Sequence, residues 1–432
     1  MDTATLREIR SDLDLFLGRF DDCFQRRESR EHFGVYVRGQ LGPLQRKSVE
    51  PMALDAGVHP KNLQQFLSLY AWDDAAMDKK VRSIVVDEHF FAEAIGVLDE
   101  TGIAKKGTKT VGVQRQYCGS VGKVENSVVS VHLDYVTPGF HTIVGSDLYI
   151  PQSWFDDPSR CKAAGIPKEL AFKKKWEIGL ELIDQARRDG IPLKWITADE
   201  GYGSVPEFMN GLATRNLVYV IEIPRHVQGW TPNGRRIGRP FARVDQLWWR
   251  GGPTWTDYVV KDTTKGDLVW SARSTVFVPS WDPKKRLRLI VAENPLTKEV
   301  KYFLSNAPLE TSVSSLLVVT FSRWHVERSF EDAKQEIGFD HFEVRGYRSV
   351  RRHHVLSMVS LIFLIRTSRR LRGEKRRTMD LLSSPSGCRR TARRHGLSSR
   401  SGTTLGASGT ENRVLAEARR GRRSLPPPAT PP

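Results

Sequence analysis

Three acidic residues stand in contexts where a carboxylate can do more than face water. Asp99 follows the apolar run Ala94-Ile95-Gly96-Val97-Leu98 and precedes Glu100-Thr101-Gly102, which predicts a strand giving way to a turn. Asp199 closes a second such run, Lys194-Trp195-Ile196-Thr197-Ala198, and is followed by Glu200-Gly201-Tyr202-Gly203. A carboxylate at a strand end is held by the sheet yet projects into the cleft beyond it, a placement that suits a divalent metal ligand. A single Asp that merely opens a solvated turn is the commoner case. Two in glycine-flanked strand ends shift the balance toward a shared site.

The third acid is helical, in Arg323-Trp324-His325-Val326-Glu327-Arg328-Ser329-Phe330-Glu331-Asp332-Ala333-Lys334-Gln335-Glu336-Ile337-Gly338. At about 100° per residue, Arg323, Glu327 and Lys334 fall within roughly 40° of one another. Val326, Phe330, Ala333 and Ile337 make the adjoining apolar stripe, so Glu327 lies at the border of the buried and open faces. Arg323 and Lys334 flank it along the axis, each placed to hold a DNA phosphate, while Glu331 and Asp332 read as solvated. The plainer alternative is a surface ion-pair ladder, Arg323–Glu327–Glu331, worth about a few tenths of a kcal/mol.

These side chains need a scaffold, and the pattern of the chain predicts one. Residues 1–80 read as helical, with Leu6, Ile9, Leu13, Leu15 and Phe16 at helical spacing. Within them, Glu50 to Phe66 resembles a helix-turn-helix, one helix ending near Gly57 and the next starting at Pro60, with Lys61 facing DNA. An ordinary helical hairpin with its Lys and Gln in water fits the same residues. From about residue 84 the pattern turns to strands. Ser127 to Val136 and Thr142 to Ile150, separated by Pro138-Gly139, predict an antiparallel pair. Residues 169–189 predict an amphipathic helix ending at Gly190, followed by strands Leu193 to Ala198 and Leu217 to Ile223. This order implies a mixed α/β sheet. Residues 225–300 read as a β-rich insertion carrying Trp230, Trp248, Trp249, Trp255, Trp270 and Trp281, and helices return from Ser314 to Arg370.

The 432 residues leave room for two or three domains, and 39% hydrophobic content gives each a core. The formal charge of +17 favours a polyanionic partner. However, the segment after Leu371 holds 14 Lys/Arg against 4 Asp/Glu, so it supplies +10 of that excess. Its Ser, Gly, Arg and Pro content reads as a basic, disordered tail over 371–432. The longest apolar run, Val355 to Ile365, is too short to span a bilayer and reads as a buried helix. No signal peptide opens the chain, and the four scattered cysteines form no C-x-x-C pair; both point to a reducing cytoplasm.

The segments V-L-D-E-T-G-I-A-K-K-G-T-K-T-V-G-V-Q-R-Q-Y (97–117), W-I-T-A-D-E-G-Y-G (195–203) and R-W-H-V-E-R-S-F-E-D-A-K-Q-E-I-G (323–338) resemble bacterial insertion-sequence transposases of the DDE superfamily. The likeness is to the branch whose last helix carries a Tyr, Arg, Glu and Lys signature. It covers roughly residues 30–350. Asp99, Asp199 and Glu327 match that family's catalytic triad, and Arg323 and Lys334 match the signature's basic residues. The Tyr position is Thr320 here, which keeps a hydroxyl for a phosphate.

The resemblance implies an RNase H-like catalytic core, in segments 81–224 and 301–370, split by the β-rich insertion 225–300 and preceded by a helical DNA-binding domain at 1–80. It implies two Mg²⁺ ions roughly 4 Å apart, with Mn²⁺ able to substitute. It also implies cleavage at transposon ends, strand transfer into target DNA, a homodimer on DNA, no membrane, and a bacterial, nucleoid-associated location. Trp248, Trp249 and Trp255 are candidates to stack on a displaced base, although tryptophans in a small sheet more often fill its core. Two rivals remain: a plain metal-dependent nuclease, and a catalytically inactive DNA-binding transposon remnant.

Overall fold

The structure, a computed structural model, describes residues 3–231, 241–249, 254–263, 266–371 and 390–391. Five helices come first: α1 (Thr3–Gly18), α2 (Arg27–Leu41), α3 (Val49–Asp55), α4 (Pro60–Ser68) and α5 (Asp74–His89). Four strands follow, β1 (Ile95–Ala104), β2 (Gln114–Cys118), β3 (Lys123–Thr137) and β4 (Phe140–Tyr149). The chain continues through α6 (Gln152–Phe155), α7 (Pro158–Ala164), α8 (Lys175–Arg188), β5 (Trp195–Ala198), α9 (Glu200–Gly203), α10 (Pro206–Thr214) and β6 (Val218–Ile223). Strands β7 (Gln228–Trp230), β8 (Ala242–Arg243), β9 (Thr256–Thr263), β10 (Gly266–Pro279), β11 (Leu287–Glu293) and β12 (Val300–Ser305) precede the last helices. These are α11 (Val313–Phe321), α12 (Trp324–Ile337) and α13 (Tyr347–Leu371); the two-residue β13 (Arg390–Thr391) pairs with β9.

The architecture is an RNase H-like mixed α/β core. β1, β3 and β4 form an antiparallel meander, while β5 and β6 run parallel to β1, giving the order β4-β3-β1-β5-β6. β3 is apolar from Val128 to Val136 apart from a few polar residues and is buried along that length. Such a strand needs cover on both faces, and helices supply it. Beyond β6 the sheet does not stop: β12 pairs antiparallel with β6 and carries it into β11, β10 and β9. The tryptophan-rich region is therefore a continuation of the same sheet.

Three sequence expectations are corrected. The helical region runs to His89, past the expected change at residue 84, because Ile84 and Val85 are fully buried in α5 and packing overrides β-branched propensity. α8 starts at Lys175 rather than near 169, where Glu177 accepts from the Lys174 amide (2.6 Å) and closes the helix end. Asp99 sits inside β1, not at its end, because the long β3 keeps pairing with β1 as far as Ala104. The antiparallel pair, the strands at β5 and β6 and the buried apolar helix (within α13) follow the sequence closely. α3 and α4 are joined by a turn with Gly57 at φ 67°, an arrangement common to both the helix-turn-helix and the ordinary helical hairpin. Of the segment 371–432, all but Leu371 and Arg390–Thr391 lie outside the described residues. Among the described residues, no helix is long and apolar enough to cross a membrane.

Buried charges fasten the N-terminal helices to the core. Arg82 of α5, 1% exposed, pairs with Asp78 (2.8 Å) and with Asp189 (2.7 Å) at the end of α8, and it donates to the Val144 carbonyl of β4 (3.1 Å). Replacing it by Ala leaves two carboxylates without their counter-charge. We expect R82A to lose about 3–5 kcal/mol in urea unfolding. A loss below about 1 kcal/mol would show that the carboxylates find other partners.

Candidate active site

The sheet brings two of the three acids to adjacent levels. β5 pairs in parallel with β1 and ends at Ala198, opposite Leu98. The next residue on each strand is Asp199 and Asp99. Asp199 turns into α9 as its N-cap, its Oδ1 accepting from the amides of Gly201 (3.0 Å) and Tyr202 (3.3 Å). Those bonds hold the carboxylate in one orientation at the strand end. Asp99 is 9% exposed, and its Oδ1 accepts from the Glu100 amide (2.7 Å). Burial first, and the Asp199 charge second, push the Asp99 carboxyl up to about 7 against the pull of Arg323.

α12 delivers the third acid. Its apolar stripe, Val326, Phe330, Ala333 and Ile337, is buried as the periodicity required. Arg323 just precedes the helix and bridges Asp99 (3.0 Å) and Glu327 (3.0 Å). Lys334 reaches β1 as well, donating to the Thr101 hydroxyl (2.7 Å). Both expected phosphate-binding cations are thus turned to the acid-bearing strand. The Arg323–Glu327 pair of the surface ladder does form, but Glu331 pairs with Arg328 (2.9 Å) instead.

A second polar network lies deeper under the same helix. Ser329 donates to Asp134 of β3 (3.0 Å) and bonds His141 Nδ1 (2.8 Å). Asp134 is fully buried, and burial raises its carboxyl well above the usual range. The sequence reading missed this network, since a Ser on an apolar helical face carries no signal of its partner. It also gave no role to Tyr202 or Trp324. The Tyr202 hydroxyl is buried with no hydrogen-bond partner among the described residues, and the charges of Glu100, Asp99 and Asp199 add to burial in raising it. Trp324, beside Arg323, is 39% exposed and lies under the Lys261 ammonium (3.3 Å to the ring centre). An aromatic residue at the start of the Glu helix was the available signal.

The other predicted contacts are dispersed. Lys61 is exposed on the first turn of α4. Thr320 is 5% exposed within α11, which leaves little of its hydroxyl for a phosphate. Trp255 is 38% exposed under the Arg273 guanidinium (4.2 Å), whereas Trp270 is 4% exposed against Phe321. The side chains of Trp248 and Trp249 lie outside the described residues.

The donor set suits a hard divalent cation, being all carboxylate oxygen. An elevated Asp99 next to Asp199 and an unsatisfied buried phenol mark a place short of positive charge. Among the described residues, no three acids, histidines or cysteines are close enough to hold a metal as they stand. The cation between Asp99 and Glu327 is the Arg323 guanidinium.

Comparison with known proteins bears on the chain as a whole. A probable transposase for insertion sequence element IS701 from Microchaete diplosiphon is 28% identical over 213 residues, 49% of this chain and 53% of that protein. The chain thus spans about half the length of the curated relative it matches. Among solved structures, a piggyBac transposase synaptic complex with hairpin DNA aligns over 81% of this chain and 68% of its own, at 10% identity and a TM-score of 0.41. The NurA nuclease of Sulfolobus solfataricus aligns over 64% of this chain and 94% of its own, at 9% identity and a TM-score of 0.26. The family model of the DDE superfamily endonucleases, enzymes that generally use divalent metals, matches residues 19–271, a span holding Asp99 and Asp199 and stopping short of Glu327. With more than half of its length matched by that model, the chain belongs to the DDE superfamily endonuclease family.

Proposed function

We propose that the chain is a transposase that cuts DNA at the ends of an insertion sequence and joins the freed ends to target DNA. The reading is supported by Asp99 of β1 and Asp199, just beyond β5, standing at adjacent levels of two paired strands, and by Arg323 joining Asp99 to Glu327 of α12. In the proposed reaction water attacks a phosphodiester at the element's end, leaving a 3′-hydroxyl and a 5′-phosphate. That 3′-hydroxyl then attacks the phosphorus of a target phosphodiester, forming a new phosphodiester and releasing the target strand's own 3′-hydroxyl. Asp99, Asp199 and Glu327 would hold Mg²⁺, as two ions or with Mn²⁺ in their place. When bound, the metal supplies charge at the attacking and leaving oxygens.

The protein's own contribution is placement. The Asp199 carboxylate is set by two amides, Asp99 by the sheet and Arg323, and Glu327 by the packed stripe of α12. Arg323 holds the two acids near each other in the metal-free state and is free to move to a phosphate once a metal takes its place. Paired cleavages of one element's two ends call for a homodimer on the DNA.

The deciding experiment combines the purified chain with DNA carrying the element's ends and a target plasmid. Divalent-dependent cleavage together with joined products supports the reading; cleavage without joining would make it a plain nuclease, and DNA binding with neither would make it an inactive remnant. A separate check needs no DNA. At a hundredfold excess over Kd, Mg²⁺ or Mn²⁺ should stabilise the wild type by about 2.7 kcal/mol and leave D99N unchanged. An equal stabilisation of D99N would place the metal elsewhere.

A further inference from the structure

The face of the sheet that carries Asp99 does not end with the catalytic helix. Asp99 lies opposite His132 on β3, and alternate residues from there, Ser130, Val128, Asn126 and Val124, share its face. Arg115 and Tyr117 of β2 lie opposite Asn126 and Val124, so they stand on that face too. Eight residues of strand separate His132 from Val124, about 27 Å.

This far end is exposed, basic and aromatic. Residues 105–124 contain Lys105, Lys106, Lys109, Arg115 and Lys123 and no acidic residue. Lys106, Lys109 and Arg115 are exposed, and among the described residues none forms an ion pair. Lys123 pairs with Glu125 (3.5 Å), and Lys105 is committed inward to the Phe342 carbonyl (2.6 Å). Tyr117 is 67% exposed and Val124 54%.

The presentation is rigid. Asn126 Nδ2 donates to the carbonyls of Lys105 (2.7 Å) and Gly107 (2.8 Å), fixing the connection that carries Lys106 and Lys109. The Val111 amide bonds the Arg345 carbonyl (2.9 Å), and the Gly122 amide closes the β2–β3 turn on Cys118 (2.9 Å). Uncompensated cations around an exposed ring on a stiff ribbon give up no ion pair and little order on meeting phosphates. An exposed edge strand could instead pair with another chain, but three unpaired cations beside it disfavour a like-charged copy.

We propose that the β2 ribbon, through Lys106, Lys109, Arg115 and Tyr117, is a docking surface for the backbone of duplex DNA. It lies roughly eight base-pair steps from Asp99 at 3.4 Å per step. The inference rests on the DNA-acting reading above and extends it to a surface remote from the carboxylates. The cations grip phosphates, which makes the contact independent of sequence. Tyr117 packs against the sugar edge.

The test is a binding titration with the full chain and a labelled duplex of arbitrary sequence, repeated over a range of salt. The variants are K106A/K109A/R115A, Y117A, and a control, K79A/R188A/K284A, that removes three cations exposed elsewhere. Melting curves confirm that each is folded. The ribbon variant should bind at least about tenfold more weakly near 0.1 M salt and lose about 3 from the slope of log K against log salt. Y117A should weaken binding with the slope unchanged, and the control should keep the wild-type slope. Equal slopes for ribbon variant and wild type overturn the inference and leave the enzymatic reading standing. A ribbon variant that keeps the wild-type slope but dissociates an oligomer would make the edge a protein interface, which also overturns it. A wild type with no salt-dependent affinity for any duplex overturns both.

Discussion

Replacing Asp99 by Asn is expected to abolish cleavage and, in the absence of metal, to make the protein more stable. The catalytic half follows from the proposed site. D99N, D199N and E327Q each remove an oxygen donor, and each should cut DNA slower by about 10³-fold or more, the scale on which loss of a charge-stabilising group is felt. Binding to end DNA should survive, because none of the three attracts phosphate. Near-normal cleavage by any one variant would remove that residue from the site.

The stability half is specific to Asp99. Its folded-state value of about 7 lies above the ordinary 3.8, with burial the first cause and Asp199 the second. A raised carboxyl favours folding while protonated, so its cost is absent below about pH 4 and grows as pH rises through 7. The full cost is on the order of 4 kcal/mol. Metal-free D99N should therefore exceed the wild type in denaturant midpoint at pH 8, with the gap closing by pH 4. Equal midpoints at pH 8 would mean that the Asp99 carboxylate carries no such cost.

The second large effect is the opposite response to acid of three buried histidines. His132, His353 and His354 are 0–2% exposed and are held neutral by burial, His132 down to about 3, His353 to about 4 and His354 well below 6.5. His353 bonds the Tyr36 hydroxyl (2.8 Å) and the Phe339 carbonyl (2.8 Å), fastening α13 to α2. A depressed imidazole costs nothing above pH 6.5, where both states are neutral. Below it, unfolding takes up a proton that the fold refuses, and stability falls until the folded-state value is reached. Each such group contributes about 1.4 kcal/mol per pH unit in that window.

The wild type should thus lose stability through these histidines between pH 7 and pH 5, against an opposing gain from the raised carboxyls of Asp99 and Asp134. His132→Leu tests the assignment, since His132 Nδ1 has no partner among the described residues and its ring packs against Phe330 and Phe339. Its stability should fall with acid less steeply than the wild type, by about one proton. An unchanged slope would show that His132 is not one of the titrating groups.

Much of this was legible in the sequence, and the reason lies in local physics. The stripe Val326, Phe330, Ala333 and Ile337 demanded a packed α12, and that packing left Glu327 at the rim. The apolar run ending at Ala198 demanded β5, and a Gly-rich follow-on demanded the turn that makes Asp199 an N-cap. Periodicity and capping act within a few residues, so a linear reading can find them.

What only the tertiary structure decided are the facts that depend on a distant partner. Asp99 lies within β1 because a fifteen-residue β3 pairs beyond it. Ile84 and Val85 are helical because the core buries them in α5. Arg323 and Lys334 turn inward to Asp99 and Thr101, 224 and 233 residues away, where the helix wheel alone left them facing a phosphate. The Asp134–Ser329–His141 network joins residues up to 195 positions apart. Each of these is set by burial and long-range pairing, energies that exist only once the sheet has closed around them.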